Sequence, residues 1–169
     1  ELPEWPPLHM AAYGGHKDMI DLFKRKGYLT IFAEDKQQNT CLHIAAKRGH
    51  MEVVEALLEL RPDIAAPYKI INMQNMMGQT PLYIAMQEAQ YKVAKLLIND
   101  PSINLDLKDN NQQTFLHLAV QKGQIKLVRL LIRKGLLQKY LNAKNSKGKS
   151  ALYYALSLGH EKIVGLLIE

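Results

Sequence analysis

One pattern of about twenty residues is written several times along this chain. It reads TCLHIAAKRGHMEVVEALLE from Thr40, TPLYIAMQEAQYKVAKLLIN from Thr80 and TFLHLAVQKGQIKLVRLLIR from Thr114. Less regular copies begin at Pro7 and Ala151. Aligned on Pro7, Cys41, Pro81, Phe115 and Ala151, the five copies lie 34, 40, 34 and 36 residues apart. Repetition at this period excludes a single closed core. Each copy is one small unit that contacts its neighbours, and burial accumulates by stacking.

Each copy reads as two short helices. The first follows a hydroxyl residue, Thr40, Thr80, Thr114 or Ser150, whose oxygen can accept from the free N–H groups of the helix start. Pro81 stands at a first helical position, where a missing N–H costs nothing. Small residues (Ala11, Ala12, Ala45, Ala46, Ala85 and Ala119) let neighbouring helices approach closely. Gly15, Gly49, Gly123 and Gly159 stand where the chain needs a left-handed residue to leave the helix. The second helix pairs its apolar residues: Val53–Val54 with Leu57–Leu58, Val93–Ala94 with Leu96–Leu97, Leu127–Val128 with Leu130–Leu131, and Ile163–Val164 with Leu166–Leu167. These spacings fill one helical face. Gly27, Pro62, Pro101 and Gly135 mark its ends. The segments EDKQQNT, QNMMGQT, KDNNQQT and KNSKGKS then supply the Asn, Asp and Gly of tight, hairpin-like turns.

The sequence T-P-L-H-x-A-A-x-x-G-H, a helix ending in L-L and a turn of the form D-x-x-G-x-T resembles the ankyrin repeat, over nearly the whole chain. The resemblance implies an all-α ankyrin-repeat solenoid of paired antiparallel helices with hairpin-like turns. Residues 1–169 are expected to form one such domain, with repeats near 1–33, 34–73, 74–107, 108–143 and 144–169. Three departures stand out. Ala89–Gln90 replaces Gly–His in repeat three, so that loop is expected to be strained or reshaped. Gln38 and Gln112 occupy a turn-glycine slot. Pro6 occupies the N-cap of repeat one. The second connection, LRPDIAAPYKIINMQN, is about six residues too long; surface drift accounts for it better than a functional lip with Tyr68 at its tip, since longer loops cost little. The last helix, EKIVGLLIE, keeps a full apolar face, and Lys24 makes repeat one more cap-like, so the chain is expected to be an excerpt or to be flanked by a further helix.

Catalysis finds little support in the sequence. His9, His43 and His117 share one slot in successive repeats, and His16, His50 and His160 share another. Equivalent slots in stacked helices lie roughly 10 Å apart, whereas zinc ligands must converge to about 2 Å from the metal. The histidines are therefore expected to bond local backbone or the Thr three residues before them. Cys41 occupies a helix start, which can acidify a thiol, but no general base accompanies it, and a structural role is expected. No phosphate loop, carboxylate pair or Ser/His/Asp set is present. The segment is read as non-enzymatic, with no cofactor and no metal.

The resemblance implies docking of a partner protein or peptide on the concave face, built from turn tips and the exposed end of each first helix. The candidate contacts are Trp5, Tyr13, Lys47, Arg48, Met76, Met77, Gln87, Lys122, Lys147 and Lys149. Aromatic and Arg residues are frequent binding hot spots, and Met is an adaptable contact. Trp5 could equally pack onto repeat one as an improvised cap. Charge adds a second theme. The chain carries 22 Lys and Arg against 16 Asp and Glu, a net +6. From Asn110 to His160 there is no acidic residue, while Lys122, Lys126, Arg129, Arg133, Lys134, Lys139, Lys144, Lys147 and Lys149 all lie in that span. A one-signed field of this extent steers acidic partners. The main expectation is an acidic or mixed protein segment. The alternatives are nucleic acid or an anionic membrane on the basic half, with Tyr140, Tyr153 and Tyr154 nearby but the last two in a helix expected to pack, and a substrate-recruiting arm of an enzyme. One cysteine allows no internal disulfide and suits a reducing, cytoplasmic setting. No apolar run approaches the roughly 20 residues of a membrane helix. The Lys-, Asn-, Gln- and Met-rich style would suit a microbial effector acting in a host cytoplasm; a eukaryotic scaffold, channel or signalling protein fits as well.

Overall fold

The computed structural model describes residues 5–27, 30–59 and 70–168. Most of the long second connection, with Pro62 and Tyr68, lies outside the described residues. Two compact units are formed, residues 1–104 and residues 105–169.

In the first unit the helices are α1 (Pro7–Gly14), α2 (Lys17–Lys26), α3 (Cys41–Arg48), α4 (Met51–Glu59), α5 (Pro81–Gln87) and α6 (Tyr91–Asn99), with a single tight helical turn at Ile70–Asn72. In the second they are α7 (Phe115–Gln121), α8 (Ile125–Arg133), α9 (Leu137–Leu141), α10 (Ala151–Ser157) and α11 (Glu161–Ile168). First helices stack on first helices: α1 on α3, α3 on α5, and α7 on α10. Second helices do likewise, α2 on α4, α4 on α6, and α8 on α11. Ala11, Ala12, Ala45, Ala46, Ala85 and Ala119 are all buried at these contacts. No described residue lies in a strand of a sheet; Lys144 and Ser150 make one isolated antiparallel bridge at the base of a turn. The short α9 is an addition to the sequence reading. Its Leu137 and Tyr140, three residues apart, are buried, and the Tyr140 ring meets Phe115 edge-on with centroids 4.7 Å apart.

The first-helix histidines join the layers. In repeat two the Thr40 N–H donates to His43 Nδ1 over 3.1 Å, and the Thr40 hydroxyl lies 2.9 Å from the same nitrogen. Nδ1 is thus the acceptor, so Nε2 carries the proton. Nε2 donates to the Gln79 carbonyl at 2.9 Å, the residue just before the N-cap of repeat three. His117 repeats the arrangement with Thr114 and sends Nε2–H to the Lys149 carbonyl at 3.0 Å. The histidine here fills the role of the Glu in an ordinary capping box and adds a bond to the next layer. The threonine partner is the one expected from the sequence; the second bond is long-range, not local. His9 likewise reaches the Asn39 carbonyl at 2.8 Å. Its Nδ1, however, is buried without a partner. The N-cap there is Pro6, which offers neither hydroxyl nor N–H.

The expected left-handed positions are left-handed. Gln38, Ala89 and Gln112 take φ of 61°, 57° and 58° without being glycine. The loop at Ala89 keeps the shape of its counterparts: Gln90 N–H reaches the Ala85 carbonyl at 2.8 Å, as His50 N–H reaches Ala45 at 3.1 Å. The departure from Gly–His is therefore absorbed as backbone strain, not as a reshaped loop. The outer face of the last repeat is open. The position filled by Ala12, Ala46, Met86 and Val120, each 0% exposed, is Leu156 at 61%, and Ile168 is 67% exposed.

Two predictions follow from these contacts. A left-handed non-glycine residue costs about 1–2 kcal/mol, and glycine returns part of that as chain entropy. Ala89→Gly should therefore raise the unfolding free energy by about 0.5–1 kcal/mol in urea titrations; a lower midpoint would refute the strain. Burial pushes the His43 imidazole down from 6.5 to about 4. Between those values the unfolded chain binds a proton that the folded chain refuses, so stability is full above pH 6.5 and falls as pH drops towards 4. The loss should reach roughly 3 kcal/mol. Titrations from pH 7 to pH 4.5 should give a shallower decline for His43→Gln than for the native chain, and equal slopes would exclude this origin.

Candidate functional site

Among the described residues four turns project from the helix layers, and one side chain builds each of them. Asp35 Oδ1 accepts from the N–H groups of Gln37 and Asn39 at 2.9 and 2.8 Å. Asn75 does the same for Met77 and Gln79, both at 3.0 Å. Asp109 serves Asn111 and Gln113 at 2.9 and 2.8 Å, and Asn145 serves Lys147 and Lys149 at 3.0 Å each. Short polar side chains of this kind bond their own backbone two residues on. Within each unit the tips are also stitched to one another. Met76 N–H donates to the Gln37 carbonyl at 3.1 Å, and Ser146 N–H to the Asn111 carbonyl at 2.9 Å. The side chains at the tips therefore stand on fixed backbone.

In the first unit the candidate residues form two groups. Trp5 and Tyr13 meet edge-on with centroids 5.2 Å apart, and the Arg48 guanidinium lies 4.5 Å from the centre of the Tyr13 ring. His50 Nε2–H donates to the Tyr13 carbonyl at 3.0 Å and secures this corner. Trp5 is thus half-buried against repeat one, while Tyr13, Lys47 and Arg48 are exposed. The second group is the repeat-three turn, where Met76 and Met77 are 56% and 58% exposed. Gln87 is drawn inward and accepts from Gln79 Nε2 at 3.2 Å. Gln79 belongs to the variable turn positions in the sequence, yet it is buried and fastens the turn to α5.

In the second unit Lys122 and Lys147 are exposed. Lys149 is half-buried, with its ammonium 4.0 Å from the centre of the Tyr153 ring. Tyr153 is 44% exposed, which corrects the expectation that both tyrosines of α10 pack: only Tyr154 turns in, its hydroxyl accepting from Asn145 Nδ2 at 2.9 Å. Lys139 is exposed but paired with an acid, and Tyr140 is buried. The Lys139 ammonium and the Tyr140 hydroxyl both reach Asp106, at 2.8 and 2.7 Å. Lys139 first, then Tyr140, hold the Asp106 carboxyl below the usual carboxylate range.

Cys41 is fully buried, with Sγ 3.8 Å from the Ile31 carbonyl. Burial raises its thiol to about 12, the opposite of an activated nucleophile. Among the described residues no three of His, Cys, Asp and Glu converge as a metal site requires, and no helix is long and apolar enough to cross a membrane.

Stacked helix pairs with turns built by Asp and Asn side chains define an all-α repeat array. A family model described as ankyrin repeats (3 copies) matches residues 2–68 and 101–169, and a second, ankyrin repeats (many copies), matches residues 42–98. The chain belongs to the ankyrin-repeat family. Its similar proteins include a probable E3 ubiquitin-protein ligase XBOS33 of Oryza sativa subsp. japonica, 28% identical over 96% of this chain and 31% of the relative. Another is the nuclear factor NF-kappa-B p105 subunit of Gallus gallus, 32% identical over 89% of this chain and 15% of the relative. A third is transient receptor potential cation channel subfamily A member 1 of Homo sapiens, 31% identical over 62% and 9% respectively. The chain spans about a third or less of these relatives. Ankyrin repeats generally mediate protein–protein interaction, by presenting varied side chains on a repeated frame.

The buried thiol gives a direct check on the repeat-two core. At pH 8 a disulfide reagent should label Cys41 only as fast as the fold opens, and should label one thiol per chain at once in urea. Immediate labelling of the native chain would contradict the burial.

Proposed function

We propose that this chain is a non-catalytic docking module that holds a partner protein on its turn tips and first-helix ends. The observation that carries the reading is the repeat-three turn. Two methionines stand more than half exposed on a backbone held by Asn75 and by Gln37. Solvent-facing apolar side chains on a rigid platform lose little freedom on binding, so more of their contact energy survives as affinity. Methionine adapts its shape to the surface it meets. The Trp5–Tyr13–Arg48 corner adds hot-spot residue types to the same unit.

The nucleic-acid reading is the weaker one. Base stacking needs exposed aromatic faces. Tyr140 is buried, Tyr154 turns inward, and the Tyr153 ring has Lys149 over it. The rice relative's name also allows this array to serve as the recruiting arm of an enzyme. In that case a partner captured here would be modified by the longer protein and left unmodified by this chain alone.

The test is affinity capture from nuclease-treated cytosol, followed by titration of the captured protein after purification. Met76→Arg with Met77→Arg should weaken its binding by about tenfold or more, near 1.4 kcal/mol. Glu52→Lys on the exposed side of α4 should leave it within about twofold. Equal retention by the native chain and the methionine variant would remove the turn from the site.

A further inference from the structure

Within the docking reading, we infer that the turn and first-helix side of the second unit takes an acidic polypeptide segment, held by Lys147 and Lys149 beside Tyr153. The inference rests on the proposal above for its mode of binding and adds the chemistry of what is bound.

Charge on this unit is arranged by face. Between Asn110 and His160 the chain has no carboxylate side chain. Asp109 is buried in its turn, accepting backbone N–H groups. Asp106 already holds Lys139 and Tyr140. Lys147 and Lys149 therefore stand on a turn with no exposed acid of its own. Their backbone is fixed by Asn145, and the Lys149 carbonyl also accepts from His117. The Tyr153 ring supports the Lys149 ammonium at 4.0 Å. That contact limits the side chain's rotamers before any ligand arrives, which lowers the ordering cost of binding. Lys122 extends the positive field from the end of α7.

The kind of anion follows from the residues present. Both arginines of the span, Arg129 and Arg133, lie exposed on α8, so the turn carries ammonium groups alone. Ammonium groups act as point charges that donate to single oxygens at many angles, which suits carboxylates spaced along a flexible chain; the planar fork of Arg, which takes carboxylate or phosphate in a bidentate fashion, is absent from this turn. The scarcity of open aromatic faces argues against stacked bases. An extended chain bearing several Asp or Glu side chains meets both conditions.

The experiment uses the 169-residue chain and a fluorescent oligo-glutamate peptide, read by anisotropy at roughly 0.1 M salt. An oligothymidylate of equal charge and phosphatidylserine vesicles serve as parallel probes. Lys147→Gln with Lys149→Gln should weaken the peptide by about tenfold, and Arg129→Gln with Arg133→Gln, which removes the same charge, by less than about twofold. Tyr153→Leu should give an intermediate loss, with unchanged circular dichroism. Equal losses from the two charge pairs would reduce the effect to net charge and overturn the inference. So would tighter binding of the oligonucleotide or the vesicles, or no peptide binding at all. If the peptide result fails while the methionine variant still loses a purified partner, the docking module stands and its acidic specificity falls. The converse pattern would leave the basic turn as a site and remove the methionine turn.

Discussion

A pair of helices of seven to ten residues cannot close a core around itself. It has one apolar face per helix and no third layer. The whole chain is organised by that constraint. Small residues face the neighbouring layer so that backbones can approach, and the larger apolar side chains then pack between layers. Where no described layer follows, the same register position changes character without changing residue class. Leu156 is exposed where Ala12, Ala46, Met86 and Val120 are buried. Burial here is a property of the neighbour, not of the residue.

Hydrogen bonding obeys the same logic. A buried imidazole has two nitrogens to satisfy. The Thr N-cap takes one and the next repeat's backbone takes the other, as His43 and His117 show. Each histidine is thereby held neutral in one tautomer, and burial lowers its proton affinity. At the turns a single Asp or Asn satisfies two N–H groups. Once Asp or Asn has closed each turn in this way, the exposed positions beside it differ from repeat to repeat. They can carry methionine in one repeat and lysine in another at little cost to the fold. This is the physical basis for reading function from the tips.

Local features were legible in the sequence. The N-cap residues, the left-handed positions and the apolar face of each second helix depend on the chain within a few residues. The strain at Ala89 and the uncovered apolar face of the last repeat followed from comparing one repeat with another. Features that depend on the adjoining repeat were not legible. The Nε2 bond of His43 spans 36 residues. Gln79 stands at a variable position yet is buried, because it bridges its turn to Gln87. Tyr153 and Tyr154 are neighbours of one type, and only the register of α10 decides which faces solvent. The pairing of Lys139 depends on Asp106, 33 residues away. The candidate residues could be named from the alignment of repeats, but their grouping required the distances.

The first repeat shows how the frame weakens where the N-cap hydroxyl is missing. Pro6 gives α1 neither a hydroxyl cap nor an N–H for His9, whose Nδ1 is left buried and unpaired. An unsatisfied buried polar atom costs about 1–3 kcal/mol. Met10, Met19 and Leu22 are more than a third exposed, so this repeat also has less burial to offset the cost. Its ties to repeat two are correspondingly important: the His9–Asn39 bond, the His50–Tyr13 bond and the Arg48 contact on the Tyr13 ring. Two of those three ties run through Tyr13, the residue at the centre of the aromatic corner. A protein bound at Trp5, Tyr13 and Arg48 would cover the joint between repeat one and repeat two. Docking there and stabilisation of the N-terminal layer are then linked, since a ligand that binds only the folded form stabilises it by mass action.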